Sequence, residues 1–568
     1  MSEQTDKQPE YDLKSVKLPY LSGLVLRFFA FLVESPLRFL ITPILLRNAG
    51  LTWLRKQRFD EKPTLYPVTF VDIKGTPAED SLIKEMPYQS AVSDTGFHFN
   101  TIQDYNGAYQ EGKIEPLEVA DRLLEAIDSS DNAVKPLRAF IAIDREDFLR
   151  QAEAATKRIK NGEKLSVFDG VPVAVKDELD MLPYPTTAGT SFLGTSIPNE
   201  DSTVVARMRA AGAILIGKTN MHELGLGITG FNYHYGPPRN PYNPDHYTGG
   251  SSSGSAASVA AGFCPVAIGV DGGGSIRIPS SFCGLVGLKP TFKRVSSFGD
   301  APLGWSVSHI GPIAATVTDA ALGYIVMAGP DPNDPMSLYQ PQPFLKGWDN
   351  LELSDLKIGI YWPWFRHADA DTVSACETLL NEIANMGAGI EEIIVPELEA
   401  GRVAHIVTIA AEMAQALDRY HTEHRSDYGL DTRINLAIAR EFTSSDYIQS
   451  QRVRTRMMAN FSNILEQVDV IITPTTGLPA PRIPENTLPY GESDLTTLFE
   501  IMRFVTYANF TGLPAISFPA GYNRDGLPVG MQIIGRPWQE HTLLRLALAA
   551  EQVVKRKAPQ IYYDILRS

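Results

Sequence analysis

Residues 249–291 read GGSSSGSAASVAAGFCPVAIGVDGGGSIRIPSSFCGLVGLKPT. This segment has two Gly-rich turns, GGSSSG (249–254) and DGGGS (271–275), with a helix-like run and the apolar strand VAIGV (266–270) between them. Such turns allow backbone N–H groups to converge on a negative charge, as an oxyanion hole requires. Two ordinary glycine turns would explain neither the serines clustered in each turn nor Arg277. The segment therefore predicts a catalytic site in which serine takes part.

Short apolar runs typical of buried strands recur on both sides of this segment: AFIAI (139–143), VPVAV (171–175), AILI (213–216), KIGIY (357–361), VDVIITP (468–474) and VGMQII (529–534). Helical patterns separate them, such as PLEVADRLLEAIDSS (116–130), which has apolar positions at helical spacing and a proline in its first turn. This alternation predicts an α/β fold with a parallel or mixed sheet covered by helices on both faces. Because a chain of 568 residues is too long for one hydrophobic core of ordinary size, we expect an unusually large α/β unit.

Two shorter motifs indicate other chemistry. Residues 212–219 (GAILIGKT) match the phosphate-loop pattern, but AILI is itself a strand where the mechanism needs a loop, so we expect Lys218 at a strand end. Residues 250–254 (GSSSG) match the nucleophile elbow of α/β-hydrolases, which should follow a strand. RNPYNPDHYTGG precedes it and reads as turn throughout, and His309 or His405 would have to supply the histidine. Neither motif is favoured.

The composition excludes several classes of function. A net charge of −15 argues against nucleic acid as the main partner, because phosphate binding needs a basic surface. The three cysteines, Cys264, Cys283 and Cys376, are far apart and odd in number, which favours a reducing, intracellular compartment over disulfides or a metal site. His421 and His424 have helical spacing, but no third metal ligand is evident.

The first 60 residues differ from the rest in charge. Between Asp12 and Arg58 there are eight basic and two acidic residues, a local charge of +6. Two apolar stretches, Leu24 to Val33 and Leu37 to Leu46, are each interrupted by an arginine, and neither approaches the roughly 20 apolar residues of a spanning helix. They predict two short apolar helices with basic flanks. These helices lie on a membrane surface, or they pack on the protein's own body or on a second subunit.

The Gly- and Ser-rich segment closely resembles the signature of the amidase signature family of serine hydrolases. The similarity comprises the Gly/Ser block, the 24 residues from Ser251 to Ser275, and IRIPSSFCGLVGLKPT. VAVKDELD (173–180) is similar to the strand that carries the family's catalytic lysine, which places that lysine at Lys176. GKTNMHELG, RNPYNP and ANFTGLPAISFPAGYNRDGLPVGMQIIGRP also resemble family blocks, so the similarity covers about residues 98 to 560.

The N-terminal part resembles the plant-type fatty acid amide hydrolases of this family. The run LPYLSGLVLRFFAFLVESPLRFL, a Pro-rich connector and the catalytic core follow in the same order, and PYPTTAGTSFL, VPELEAGRVAHIV and SSDYIQSQRVR are also similar. The resemblance implies a large mixed, twisted sheet covered by helices. It also implies an apolar helical arm at 1–60, a connector at 61–97 and a catalytic domain at 98–568.

The chemistry explains why such residues are needed. A serine hydroxyl is a weak nucleophile and requires an adjacent base. A lysine can be that base only when neutral, so its pKa must fall from about 10.4 toward about 7–8 through burial or nearby positive charge. Lys176 ends an apolar strand, where burial is plausible. Taken alone, the same position also suits a lysine that pairs with Asp177 or Glu178.

By resemblance, Lys176 takes a proton from Ser251, Ser251 takes one from Ser275, and Ser275 attacks an amide carbonyl to form an acyl-enzyme. Ser251 would follow a cis peptide bond and would also contact the substrate. The resemblance implies neither cofactor nor metal. It implies that the backbone amides of the oxyanion hole belong to Gly272, Gly273, Gly274 and Ser275. It also implies that the side chains of Ser252, Asp271 and Arg277 support the two turns. Many family members have glycine at the position of Ser253, whereas the plant enzymes also have serine there.

The expected function is hydrolysis of N-acyl amides, including fatty acid amides such as N-acylethanolamines, to fatty acid and amine. The resemblance further implies an intracellular homodimer associated peripherally with a membrane through the arm. One alternative is a general amidase or esterase for small or aromatic amides, with the arm used for dimerisation. The other is an amidotransferase subunit or a non-enzymatic partner, against which the intact Lys176, Ser251 and Ser275 set argues.

Overall fold

The structure is a computed structural model that describes residues 10–69, 96–487 and 490–567, the side chain of residue 486 excepted. Most of the connector expected at 61–97 lies outside the described residues. The strands are β1 (Leu21–Ser22), β2 (Phe140–Ala142), β3 (Pro172–Lys176), β4 (Ile214–Thr219), β5 (Arg239–Asn240), β6 (Asn243–Tyr247), β7 (Val266–Asp271), β8 (Val286–Lys289), β9 (His309–Ala314), β10 (Lys357–Ile360), β11 (Gly389–Glu392), β12 (Val470–Pro474), β13 (Glu492–Ser493), β14 (Ala515–Tyr522) and β15 (Pro528–Gly535).

Helices connect and flank these strands. They are α1 (Gly23–Glu34), α2 (Arg38–Asn48), α3 (Leu51–Leu54), α4 (Ile102–Gln110), α5 (Pro116–Asp131), α6 (Arg145–Asn161), α7 (Thr203–Ala210), α8 (Ser253–Ala260), α9 (Arg277–Phe282), α10 (Val317–Met327), α11 (Trp362–Phe365), α12 (Ala370–Asn385), α13 (Leu398–Ala416), α14 (Asp418–His424), α15 (Leu430–Ala439), α16 (Ser444–Leu465), α17 (Leu495–Ile501), α18 (Thr506–Thr511) and α19 (Glu540–Glu551). Short 3-10 turns lie at Glu223–Gly225, Pro335–Tyr339, Arg425–Asp427 and Glu485–Thr487.

One large mixed sheet organises the described chain. Its eleven strands lie in the order β11-β10-β12-β15-β14-β8-β9-β7-β3-β4-β2. Strands β7, β3 and β4 are parallel, as are β11, β10 and β12, whereas the pairings from β12 through β15, β14, β8 and β9 to β7 are antiparallel. The predicted α/β class with a large mixed sheet flanked by helices is therefore confirmed.

Every apolar run predicted as a strand belongs to this sheet, but β8, β9, β14 and the exposed edge strand β11 were not predicted. The sequences of β8, β9 and β14, VGLK, HIGPIA and AISFPAGY, contain glycine or proline, which interrupts the apolar pattern of a buried strand. They are tolerated because all three strands are fully or largely buried between neighbours. Burial, which the local pattern does not report, decided their conformation.

The Gly- and Ser-rich segment runs through the interior. Helix α8 is buried at every position, β7 lies between β9 and β3, and α9 is again buried throughout. Because β3 and β7 are parallel neighbours, with Val175 opposite Ile268, their carboxyl ends meet at one edge of the sheet. Lys176 ends β3 and Asp271 ends β7, so the two Gly-rich turns and the strand-end lysine converge there.

The two apolar stretches near the N-terminus form α1 and α2. Helix α1 buries Leu26, Ala30 and Val33 against Ile434 of α15. Its opposite face is apolar as well, and Phe28 among others is exposed. Strand β1 pairs antiparallel with β13, which ties the arm to the body. In the part of the chain that the structure describes, no helix combines the length and apolarity needed to cross a bilayer.

Candidate active site

Lys176 lies at the carboxyl end of β3 and is 1% exposed. Its Nζ donates to Ser251 Oγ at 2.9 Å and to the Val270 carbonyl oxygen at 3.1 Å, and Glu178 Oε2 lies 2.7 Å away. Asp177 is turned the other way and pairs with Lys218 at 3.3 Å. Lys176 therefore contacts Ser251, as a catalytic base would. It also contacts Glu178, one of the two carboxylates with which an ordinary ion pair was expected.

The first Gly-rich turn presents Ser251 and Ser252. The Gly250–Ser251 peptide bond is cis, as the resemblance implies. Ser252 Oγ donates to the Val270 carbonyl at 3.2 Å and accepts the Val270 N–H at 3.3 Å, while its own N–H donates to the Ser275 carbonyl at 3.3 Å. Ser252 thus joins both turns to the end of β7, and its hydroxyl is already occupied by these contacts.

The second turn is organised by Asp271 and Arg277, which are fully buried. The guanidinium binds both carboxylate oxygens at 3.0 Å, and it also donates to Gln532 at 2.6 Å and to Asn509 at 2.5 Å. Burial alone would raise the pKa of Asp271, but the charge and hydrogen bonds of Arg277, with Lys289 adding to them, hold it well below its usual range. Asp271 is therefore an anion that fixes the turn.

Gly272, Gly273 and Ser275 of this turn line the cavity described below, but not every backbone amide of the turn is free. Gly274 donates its N–H to Asp271 Oδ1 at 2.6 Å, so it departs from the oxyanion role expected of it. The amides of Gly272, Gly273 and Ser275 have no acceptor among the residues that the structure describes. Three of the four expected donors are thus available to a substrate oxygen, because the carboxylate that orients the turn uses the fourth.

His405 and His309 do not serve as the histidine of a nucleophile elbow. His405 Nε2 lies 2.9 Å from the Gly272 carbonyl oxygen, and burial lowers the pKa of His405 to about 4, so a neutral ring donates this hydrogen bond. His309 Nδ1 lies 2.7 Å from the Val307 carbonyl oxygen, and burial lowers its pKa well below the usual value. Neither ring is hydrogen bonded to Ser252 within the described chain.

The phosphate-loop pattern has no phosphate-loop structure. Its residues form β4, and Lys218 is completely buried with Nζ donating to the Leu179 carbonyl at 2.5 Å, at the strand end as predicted. The segment before the first Gly-rich turn was expected to be turn throughout, and this was wrong, because β5 and β6 pair there antiparallel. The pair is short and interrupted by Pro241, which hid it from the apolar pattern.

A cavity of about 190 Å³ opens onto Lys176, Ser251 and Ser275. Most of the other side chains around it are apolar. Many of them come from the arm, from α13, from α15 and the residues after it, and from α17 and the turn after it: Leu18, Leu45, Ala49, Ile406, Ile409, Ala410, Met413, Ile438, Ala439, Phe442, Leu495, Leu498, Phe499 and Met502. Sequence reasoning located the three polar residues but none of this wall, since its members are far apart in the chain.

Sequence reasoning also missed the acceptors of Arg277. Asn509 and Gln532 lie in the C-terminal block that was noted only as a family resemblance. The signal was available, because an arginine between apolar residues must find several acceptors when it is buried. Glu178 was considered only as a partner for Lys176 in an ordinary ion pair, and its place on the cavity wall was not predicted.

Comparison with known proteins places this chain among amide-cleaving enzymes. A family model described as Amidase matches residues 119–544. Fatty acid amide hydrolases are 41% identical over 586 residues in Medicago truncatula (98% of this chain, 96% of the relative) and 40% identical over 588 residues in Arabidopsis thaliana (98% and 97%). A bacterial aryl acylamidase of the amidase signature enzymes has a similar structure, with TM-score 0.72, 27% identity and coverage of 80% and 96%.

Proposed function

Since the chain belongs to the amidase family and is a serine amidase, we propose that it releases fatty acids from long-chain N-acyl amides, N-acylethanolamines included, through an acyl-enzyme on Ser275. The relatives that match nearly the whole chain, the arm included, are named fatty acid amide hydrolases. The observation that supports a long-chain acyl group as substrate is the apolar wall of the cavity around Lys176, Ser251 and Ser275.

In this proposal Ser275 attacks the amide carbonyl while its proton passes to Ser251 and then to Lys176. The 2.9 Å contact between Lys176 Nζ and Ser251 Oγ supports the second transfer. The proton returns by the same path to the leaving amine, and such general acid catalysis contributes typically about 10²–10⁴-fold. The amides of Gly272 and Gly273 and of Ser275 itself stabilise the oxyanion, each worth roughly 3 kcal/mol. Water then releases the fatty acid.

The cavity wall supports an extended acyl chain as the group that is bound. Leu45 and Ala49 of α2 and the nearby Leu18 face the same space as the apolar side chains of α13 and α15. Burial of each methylene contributes about 0.8 kcal/mol, so a wall of this kind selects for chain length. A small amide would leave most of the wall without contacts.

We expect a long-chain N-acylethanolamine to exceed its two-carbon analogue in kcat/KM by about 10²-fold or more. Ala439→Trp should lower kcat/KM for the long chain much more than for the short one, because Ala439 is small, buried and on the cavity wall. Ile448→Trp, at an exposed position on α16, is the control that should change neither value. Equal or better hydrolysis of the short amide would instead favour the general amidase alternative.

The arm is proposed to seat the enzyme on a membrane surface, with homodimerisation as a second use of the same region. Phe28 and Phe31 are 63% and 64% exposed on α1, and Phe39 is 65% exposed on α2. Exposed apolar side chains flanked by basic residues are typical of helices that lie in the interface of an anionic membrane. A peripheral location would bring the cavity close to poorly soluble substrates.

The double variant Phe28→Glu/Phe31→Glu should lose sedimentation with anionic lipid vesicles, because two carboxylates would enter the apolar interface. Hydrolysis of a soluble substrate should persist, since both side chains point away from the body. Val134→Glu, at a fully exposed apolar position on the catalytic part of the chain, is the matched control. Unchanged sedimentation, together with dissociation of a dimer on size exclusion, would assign the exposed face to subunit contact alone.

A further inference from the structure

Glu178 contacts the amino group of Lys176 in a way that the proton relay does not require. The Oε2–Nζ distance is 2.7 Å, and the two side chains are 7% and 1% exposed. The contact is an ion pair without the angles of a regular hydrogen bond, and Oε2 accepts no other hydrogen bond within the described residues. A lysine removes a proton from serine only as a neutral amine, whereas an ionised carboxylate so close favours an ammonium group. The contact opposes the relay unless the carboxylate takes part in it.

We propose that Lys176 and Glu178 act together as one base, with a single proton shared between Nζ and Oε2. The inference rests on the relay from Ser275 through Ser251 to Lys176 proposed above. Glu178 does not touch the substrate carbonyl in this scheme, so it is a positioning residue that acts through the lysine. Its location on the wall of the cavity, beside Ser251, supports the assignment.

The proton balance closes within the pair. Transfer from Nζ to Oε2 breaks an N–H bond and forms an O–H bond, and it frees the nitrogen lone pair without exchange with solvent. That lone pair accepts the Oγ proton of Ser251, which takes the Oγ proton of Ser275 as the bond to the carbonyl carbon forms. When the amine departs, Ser251 protonates its nitrogen and regains a proton from Lys176, and the pair again holds one proton.

Burial of Lys176 and Glu178 lowers the free-energy cost of moving the proton from Nζ to Oε2. An ion pair removed from water loses much of its solvation, so in a buried site the charged and neutral forms of a lysine–carboxyl pair are closer in free energy than in water. Both side chains are almost fully buried, and the lysine ends a strand whose residues are all buried. A lysine without Glu178 would have to release its proton to bulk solvent through an apolar cavity.

Other charged groups near the pair have partners of their own. Burial, and after it the charge of Glu178, raise the pKa of Asp300 well above its usual value, and Asp300 accepts a hydrogen bond from Ser308 at 3.2 Å. Asp177 and Lys218 pair with each other. Lys293, which also acts on Asp300, pairs with Asp334 at 3.0 Å.

The test is the pH profile of Glu178→Gln, which keeps the shape of the side chain and removes the proton acceptor. We expect the acidic limb of kcat/KM to move to higher pH by about one unit or more, a loss of about tenfold on that limb, because the lysine must then lose its proton to solvent. A carboxylate that only attracts the ammonium gives the opposite sign, since its removal would extend activity to lower pH. A limb that moves down or stays in place overturns the proposal.

The same profile should be recorded as the labelling rate of the serine nucleophile by a fluorophosphonate. This readout does not depend on the acyl chain, so a wrong lipid assignment leaves it intact. Asp319→Asn removes another buried carboxyl, at the start of α10, and should leave the limb unchanged. In Glu178→Ala, formate should restore labelling near neutral pH whereas formamide should not. Failure of formate to restore it counts against the shared proton.

Discussion

Ser275→Ala will lower kcat for amide hydrolysis by about 10³-fold or more, because no acyl-enzyme can form without the attacking oxygen. Ser275 ends the second Gly-rich turn, two residues before α9 begins, and lines the cavity that also contacts Lys176 and Ser251. Purified wild type and variant should be compared on a long-chain N-acylethanolamine, with a thermal melt of each to show that the fold is intact.

Ser281→Ala is the matched control for this substitution. Ser281 lies in α9, the helix that follows Ser275; it is buried, and its hydroxyl has no partner within the described chain, so its loss should leave the rate nearly unchanged. Ser252→Ala distinguishes the competing nucleophile. If Ser275→Ala keeps full activity and Ser252→Ala loses it, the nucleophile elbow at 250–254 is the correct interpretation after all.

Arg277→Met will lower the free energy of unfolding by about 3–5 kcal/mol, because it leaves Asp271 as a buried charge without its partner. The methionine retains most of the volume, so the loss reports the ion pair and its hydrogen bonds to Asn509 and Gln532 rather than a cavity. Urea denaturation checks the value. Arg524→Met, which breaks an exposed ion pair with Asp371, should leave the free energy of unfolding nearly unchanged.

The ion pair between Asp271 and Arg277 should also make the free energy of unfolding depend on pH in the acidic range. A carboxyl whose pKa is lowered by folding contributes stability that is fully present above its unfolded pKa, about 3.9, and that is lost as the pH falls toward the folded value. The pKa of Asp271 is lowered mainly by Arg277, so part of the acid sensitivity of the wild type below about pH 4 should disappear in Asp271→Asn/Arg277→Met. A double variant with unchanged acid sensitivity would contradict this account.

The position of the catalytic segment could be predicted because its signals are local. The two Gly-rich turns, which are rich in serine, predicted a site in which serine takes part, and the resemblance to the family then singled out Ser251, Ser275 and Lys176 as candidates. The convergence of these residues follows from one further fact, that β3 and β7 are parallel neighbours. Parallel pairing was expected from the alternation of strands and helices, but the neighbour of each strand was not.

Other features depend on contacts between distant parts of the chain. Gly274 was expected to donate to the substrate, and only the fold shows that Asp271 takes its N–H. Strands such as β9 and β14 carry proline and glycine, and their pairing partners rather than their own pattern decide them. The cavity wall combines Leu45 with side chains more than 350 residues away, such as Met413.

The sequence by itself determined the class of fold and the apolar, basic character of the arm, because each depends on residue type and short-range spacing, and its resemblance to a family supplied the serine and lysine candidates. Only the tertiary structure decided which amides are free, which carboxylate faces Lys176, and what surrounds the reacting groups. Glu178 illustrates the difference, since two residues along the chain from Lys176 it could equally have faced solvent. Burial and hydrogen-bond partners are properties of the folded chain as a whole, and no local pattern encodes them.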